Sequence, residues 1–108
     1  MPRGPRRPRF VYNIDGTSRR KCRCRLGAKT WLAHWGRKTR LALPLKCCAK
    51  FCRRRTEVGA HVRLEGGDGR VPLIVPFCKY HNKRASSFPI EIKLETVLCQ
   101  ASMNECDK

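Results

Sequence analysis

Eight cysteines in a chain of 108 residues are the feature that most narrows how this protein can fold. A domain of this size buries only a modest hydrophobic core, and such domains often depend on disulfides or a metal ion. Residues 1–10 hold four arginines and three prolines and no apolar segment of the kind found in secretory signals. The sequence therefore predicts a cytoplasmic protein, in which clustered cysteines are more often metal ligands than disulfides. A disulfide-stapled secreted toxin is the alternative.

Two close pairs of potential ligands suit a zinc ion: Cys47-x4-Cys52 and Cys78-x2-His81. Tetrahedral Zn²⁺ sites are built from sulfur and nitrogen ligands of this kind. The 25 residues between the pairs are enough for a β-hairpin. A zinc knuckle, a hairpin and a second pair opening a helix predict a small α+β fold of the treble-clef type with a structural zinc. Cys48-x3-Cys52 is an alternative first pair, and buried apolar cysteines with a surface histidine are the alternative to any metal site.

Local patterns place the remaining elements around these ligands. Trp31, Leu32 and Trp35 share one face of a short helix that Gly36 can end. Segments 58–64 and 71–77 predict the two strands of the hairpin, and two prolines mark the second strand as an edge strand or irregular.

The rest of the chain predicts a helix, a strand and two flexible ends. A short helix is expected over 78–85, and apolar residues at alternate positions from 88 to 94 predict a final strand with one buried face. The expected organisation is a disordered basic arm (1–21), a zinc-binding treble-clef domain (22–98) and a flexible tail (99–108).

The positive charge of the chain is confined to its first half. Residues 1–55 carry 18 of the 25 lysines and arginines and one carboxylate, Asp15, whereas residues 56–108 are neutral overall. This asymmetry predicts a nucleic-acid partner, because cations that neutralise phosphates release counterions. The alternatives are an acidic protein partner, an anionic membrane surface and a merely solvated tail. No apolar stretch approaches the roughly 20 residues that span a bilayer, so a membrane-spanning segment is not expected. The basic residues beside the ligand pairs are the candidate phosphate contacts: Arg53, Arg54, Arg55, Lys79, Lys83 and Arg84.

A second metal site is also a candidate. Cys22-x-Cys24 is a clip suited to soft metals, and His34 and Cys48 can join it if the tryptophan-bearing helix docks on the finger. Unpaired thiols in a basic arm are the alternative interpretation of Cys22 and Cys24.

Two segments resemble the HNH family of ββα-metal endonucleases: GAHV (Gly59–Val62) and IVPFCKYHNKR (Ile74–Arg84). The resemblance implies a treble-clef zinc site and places His61 where those nucleases keep the general base that activates water, with Mg²⁺ as the catalytic metal. Over residues 22–98 the chain also resembles small uncharacterised bacterial proteins with HNH-like fingers. His81 stands at a zinc position here, so it is not available to a catalytic Mg²⁺, and a non-catalytic module is favoured over a nuclease. A structural His61, packed beside the zinc site, is the alternative to catalysis.

Overall fold

An antiparallel sheet of five strands, in the order β4-β1-β2-β3-β5, organises the protein. The computed structural model describes residues 7–14, 30–67 and 71–101. These residues form, in chain order, β1 (Arg9–Asn13), α1 (Trp31–Thr39), β2 (Val58–Leu64), β3 (Leu73–Phe77), α2 (Lys79–Asn82), β4 (Ile90–Ile92) and β5 (Cys99–Gln100). The small α+β fold expected from the sequence is confirmed.

Strand β1 corrects, at Arg9–Asn13, the expectation of a disordered arm over residues 1–21; residues 1–6 and 15–21 of that arm lie outside the described part of the chain. The strand lies between two other strands, with Val11 opposite Leu64 of β2 on one side and Ile90 of β4 on the other. Val11 is fully buried and Asn13 is 4 % exposed, so alternate residues of this strand enter the core. The surrounding prolines and arginines concealed this short run of strand-forming residues.

The predicted hairpin is confirmed, with Val58 opposite Phe77 and Val62 opposite Leu73. Its second strand is shorter than expected and is not an edge strand, because β5 pairs with its first two residues. Pro76 lies beyond that pairing, where no ladder needs its missing N–H. Its carbonyl oxygen instead accepts a hydrogen bond from the backbone N–H of Cys48 at 3.0 Å.

The two faces of the sheet are covered by different parts of the chain. Successive side chains of a strand point to opposite faces. Ala60 and Val62 pack in one apolar cluster with Cys47 and Cys78, whereas the intervening His61 contacts helix α1 on the other face. The cysteine pairs and His61 are therefore on opposite sides of β2.

Helix α1 begins and ends at recognisable caps. The Thr30 hydroxyl accepts a hydrogen bond from the Ala33 N–H at 3.1 Å, and Arg40 ends the helix in the left-handed conformation at φ 58°. Gly36, which was expected to end the helix, lies inside it. Trp31 and Trp35 are 6 % and 3 % exposed, so both belong to the core.

Gly59 lets α1 lie directly on β2. A Cβ atom at this position would stand 2.6 Å from the backbone nitrogen of Leu32 and from the carbonyl carbon of Trp31. Only glycine permits this close approach of helix and strand.

The C-terminal elements depart from the expected bounds. Helix α2 covers four residues rather than eight, and β4 is the centre of the predicted strand. Cys99 and Gln100 pair with β3, so the predicted flexible tail is wrong at these two positions, and residues 102–108 lie outside the described part. Neither helix among the described residues has the length and apolar character needed to cross a membrane.

Candidate metal centre

Four side chains converge beside the end of β3: Cys47, Cys52, Cys78 and His81. Their potential ligand atoms all lie within 4.8 Å of one another. The His81 Nδ1 atom is 3.3 Å from Cys78 Sγ and 3.7 Å from Cys47 Sγ, and the Sγ atoms of Cys52 and Cys78 are 4.0 Å apart. These residues are positioned to hold a metal ion, as the sequence predicted.

The spacing of these atoms fits a tetrahedral zinc site. Zinc bonds of about 2.3 Å to sulfur and about 2.0 Å to nitrogen place tetrahedral ligand atoms about 3.5–3.8 Å apart. The distances of 3.3–4.0 Å between the potential ligands bracket this value. A disulfide has an S–S length of about 2.05 Å, and Cys52 and Cys78 are both free thiols.

The first ligand pair is held by a turn that rests on β4. The backbone N–H of Cys47 donates to the Arg54 carbonyl at 2.9 Å, and that of Cys52 donates to the Ala49 carbonyl at 3.1 Å. The Lys50 N–H donates to the Glu91 carbonyl at 2.8 Å, which ties the turn to the sheet. We call residues 47–52 the knuckle. Its position relative to the second pair is thus fixed by backbone bonds.

The second ligand pair is held by the strand that the sequence analysis missed. Cys78 directly precedes α2, and His81 lies within this helix. The side-chain amide of Asn13 in β1 donates to the carbonyl oxygens of His81 at 2.7 Å and of Arg84 at 3.0 Å. Asn13 therefore positions the turn that carries His81.

Burial and charge set the protonation of the ligands. Burial, opposed by backbone hydrogen bonds at Ala49 and Cys78 and assisted by the neighbouring Cys78 and Cys52 thiols, raises the pKa of the Cys47 thiol to about 12. A bound cation reverses this effect, because thiolate is the form that binds metal. Burial lowers the pKa of His81, and Arg84 and Arg54 lower it further. The neutral imidazole that a metal requires is therefore the favoured form.

The structure separates Cys48 from the ligand group. Cys48 is 5 % exposed in the apolar cluster, and burial raises the pKa of its thiol. Cys47 thus belongs to the group and Cys48 is a core residue, which decides between the two first pairs that the sequence left open.

The predicted second metal site is only partly within the described residues. His34 is fully buried in α1, with Nε2 3.1 Å from the Gln100 carbonyl oxygen. Within residues 7–14, 30–67 and 71–101, neither His34 nor Cys48 joins a group of three or more potential ligands. Cys22 and Cys24 lie outside the described residues.

The position of His61 does not suit the general-base role that the HNH resemblance implies. Its side chain is 5 % exposed, and its ring lies edge-on to Trp31 with centroids 4.5 Å apart. Burial, with a smaller contribution from His34, lowers its pKa to about 4. It packs under α1 and not beside the cysteines, and its Nδ1 atom has no hydrogen-bond partner among the described residues. A general base must reach its substrate, so this placement favours a structural role.

The predicted basic residues lie next to the two ligand pairs along the chain. Those on the surface are Arg53, Arg54, Arg55, Lys79 and Lys83, and Arg84 is half-buried. Arg54 follows the first pair and Arg84 follows the second, yet their guanidinium carbons lie 5.2 Å and 5.3 Å from the centroid of the same ring, that of Tyr80. Arg84 also donates to the Tyr80 hydroxyl at 3.1 Å.

Three residues of the site escaped the sequence analysis. Asn13 was hidden in a segment assigned to disorder, and Tyr80 was not distinguished from the lysines around it. Phe51 is 87 % exposed at the knuckle. Its position next to a ligand, where a large apolar side chain has little core to enter, was the available signal.

Comparison of the chain with protein-family models, curated proteins and solved structures finds no match. The HNH resemblance therefore depends on the sequence motifs alone.

Proposed function

We propose that this protein is a non-catalytic zinc-binding module of the treble-clef type that binds nucleic acid through the basic surface around its metal centre. The Cys3His group supports the zinc, since three sulfurs and one imidazole nitrogen at these distances suit Zn²⁺ better than a hard cation. The order of knuckle, hairpin and short helix supports the treble-clef assignment.

The observation that carries the nucleic-acid proposal is the meeting of Arg54 and Arg84 on Tyr80. The two arginines come from the two ligand-bearing turns, so a bound metal fixes their separation. The Arg54 guanidinium lies over the Tyr80 ring, which leaves its N–H edge available for bidentate contacts to phosphate. The Arg84 guanidinium lies 3.9 Å from the Phe88 ring centroid and donates one N–H to the Tyr80 hydroxyl, so its remaining N–H groups are available to phosphate. Two guanidinium groups of fixed orientation are thereby available to bind phosphate, which favours specific contacts over attraction by net charge alone.

The surrounding charges extend this surface. Arg53 and Arg55 flank Arg54 along the chain, and Lys79 and Lys83 flank the second pair. The carboxylate in this region, Glu57, accepts a hydrogen bond from the Lys79 backbone N–H at 2.8 Å. The chain's overall charge of +17 adds a long-range attraction for any polyanion.

The nuclease alternative has weaker support. A metal with four protein ligands keeps no open position for water or phosphate, which is typical of structural zinc. The candidate general base, His61, is buried on the opposite face of the sheet from the ligand group. These two features favour binding without cleavage.

A charge-matched pair of variants tests the proposal. We expect Arg54→Gln/Arg84→Gln to weaken binding to duplex and single-stranded oligonucleotides and to lower the slope of log K against log salt by about two, because two phosphate contacts are lost. The control is Arg37→Gln/Lys38→Gln, which removes the same charge from the exposed end of α1.

The outcomes separate the possible partners. Equal loss of affinity in both variants would show that net charge alone attracts nucleic acid. Absence of salt-dependent binding by the zinc-loaded protein would contradict the proposal and leave the acidic protein partner as the better hypothesis.

A further inference from the structure

A cleft of about 720 Å³ lies on the side of the knuckle that faces β4 and the residues after it. It is lined by Lys46, Lys50, Phe51, Cys52, Arg53, Lys93, Leu94 and Glu95. Because Cys52 is both a cleft residue and a potential metal ligand, the metal centre supports one wall of this cleft. The Lys93 ammonium is 3.5 Å from the Cys52 carbonyl oxygen, which connects the two walls.

Phe51 occupies a backbone position that suits glycine. Its φ is +67°, and it is the third residue of the turn closed by the Cys52 N–H and the Ala49 carbonyl oxygen. The left-handed region is strained for a bulky side chain, and residues held there often mark functional sites. The ring gains no burial in return, since 87 % of the residue is exposed. Neither the turn nor the core therefore explains a phenylalanine here.

Cations line the cleft beside the exposed ring. The Lys50 ammonium is 5.2 Å from the ring centroid, and Lys46, Arg53 and Lys93 share the cleft with it. Glu95 is the carboxylate that lines the cleft, and Glu91 pairs with Lys50 at 2.8 Å. An apolar ring projecting among four cations complements a ligand that carries both a flat apolar face and negative charge.

We propose that this cleft binds single-stranded nucleic acid, with an unpaired base stacked on Phe51 and the adjoining phosphates on Lys46, Arg53 and Lys93. Bases stack on aromatic side chains regardless of sequence, and cationic grooves follow the backbone beside them. A base within a duplex is already stacked on its neighbours, so the cleft favours single strands over duplexes. This proposal rests on the proposed function and adds to it a second contact surface and a preferred form of the ligand.

The backbone conformation at Phe51 allows the ring to be removed with little expected effect on folding. Phe51→Gly removes the ring but relieves the positive φ, and it loses almost no buried surface. We therefore expect its thermal stability and zinc content to match those of the wild type. Phe51→Trp keeps an exposed aromatic face, and because Trp31 and Trp35 are buried, quenching of its fluorescence by a bound oligonucleotide reports stacking at position 51.

Two ligands with the same phosphates separate stacking from charge. The probes are a short oligothymidylate and a strand of equal length in which every nucleotide is abasic. We expect Phe51→Gly to bind oligothymidylate roughly 5- to 150-fold more weakly than the wild type, and to bind the abasic strand equally well. Phe51→Trp should keep the wild-type preference and be quenched by oligothymidylate alone.

Each result bears on one proposal or on both. Equal affinity of wild type and Phe51→Gly for oligothymidylate overturns the stacking proposal, and points to a protein partner for the exposed ring. If the wild type binds both strands equally and with strong salt dependence, the proposed function stands and the stacking proposal fails. If the wild type binds neither strand, the stacking proposal fails, and the proposed function fails as well only if a duplex of the same length is not bound.

Discussion

The close approach of α1 to β2 at Gly59 predicts that a larger residue at this position lowers the stability of the protein. In Gly59→Ala, the new Cβ would stand 2.6 Å from the backbone of Trp31 and Leu32, where ordinary contacts are 3.4–4 Å. Helix α1 must then move by about 1 Å, and forced overpacking of this kind costs about 1–3 kcal/mol. We expect a loss of roughly 5–15 °C in Tm, measured by thermal unfolding of the zinc-loaded protein.

Gly36→Ala is the matched control, because it makes the same chemical change within α1. Its Cβ would meet Leu43 Cδ2 at 3.5 Å, an ordinary contact, and alanine is favoured over glycine in helices by about 0.8–1 kcal/mol. We therefore expect Gly36→Ala to be slightly more stable than the wild type. Both variants should keep their zinc, since α1 covers the other face of the sheet. A Gly59→Ala protein as stable as the wild type would refute this packing of helix on strand.

Two further predictions concern buried polar side chains. Asn13→Ala leaves the carbonyl oxygens of His81 and Arg84 without their hydrogen-bond donor. We therefore expect a loss of about 1–3 kcal/mol in the free energy of unfolding, and weaker retention of zinc in competition with a chelator. Unchanged zinc retention would contradict the positioning role of Asn13. The pKa of His61 is lowered to about 4 from 6.5, so the stability that its neutral form contributes is complete above pH 6.5 and is lost as the pH falls toward 4. The loss in the free energy of unfolding amounts to about 3 kcal/mol. Denaturant unfolding at several pH values measures it, with His61→Gln as the control that lacks the titrating group. An NMR titration that shows His61 protonated near pH 6 would contradict the prediction.

The sequence was most informative where residue type and spacing act locally. The pairs Cys47-x4-Cys52 and Cys78-x2-His81 converge as expected, because each is carried by a short turn and the hairpin between them returns the chain. The hairpin was visible because β-branched residues on both sides of a glycine-rich segment favour two paired strands.

Long-range pairing was the part that the sequence concealed. Strand β1 pairs with residues about fifty or more positions away, and nothing near Arg9–Asn13 signals those partners. The role of Asn13 depends on the same pairing, because its amide reaches His81 across the fold. The end of α1 was misplaced at Gly36 because packing on the sheet outweighs glycine's low helix propensity.

The face of the sheet on which His61 lies favours the structural interpretation of this residue over the catalytic one. His61 and Val62 are neighbours in the chain, but the alternation of β2 sends His61 toward Trp31 and Val62 toward the cysteines. The motif that resembles an HNH nuclease therefore keeps its histidine in sequence while its side chain lies apart from the ligand group.

Elemental analysis of metal per folded chain tests the zinc centre most directly. The expected result is one zinc per chain in the wild type and none in Cys47→Ser/Cys78→Ser, with loss of folded structure when a strong chelator removes the ion. Two zinc ions per chain would add the second site that Cys22, Cys24 and His34 suggest. A folded wild-type protein that contains no zinc would contradict the claim that Cys47, Cys52, Cys78 and His81 form a structural zinc site.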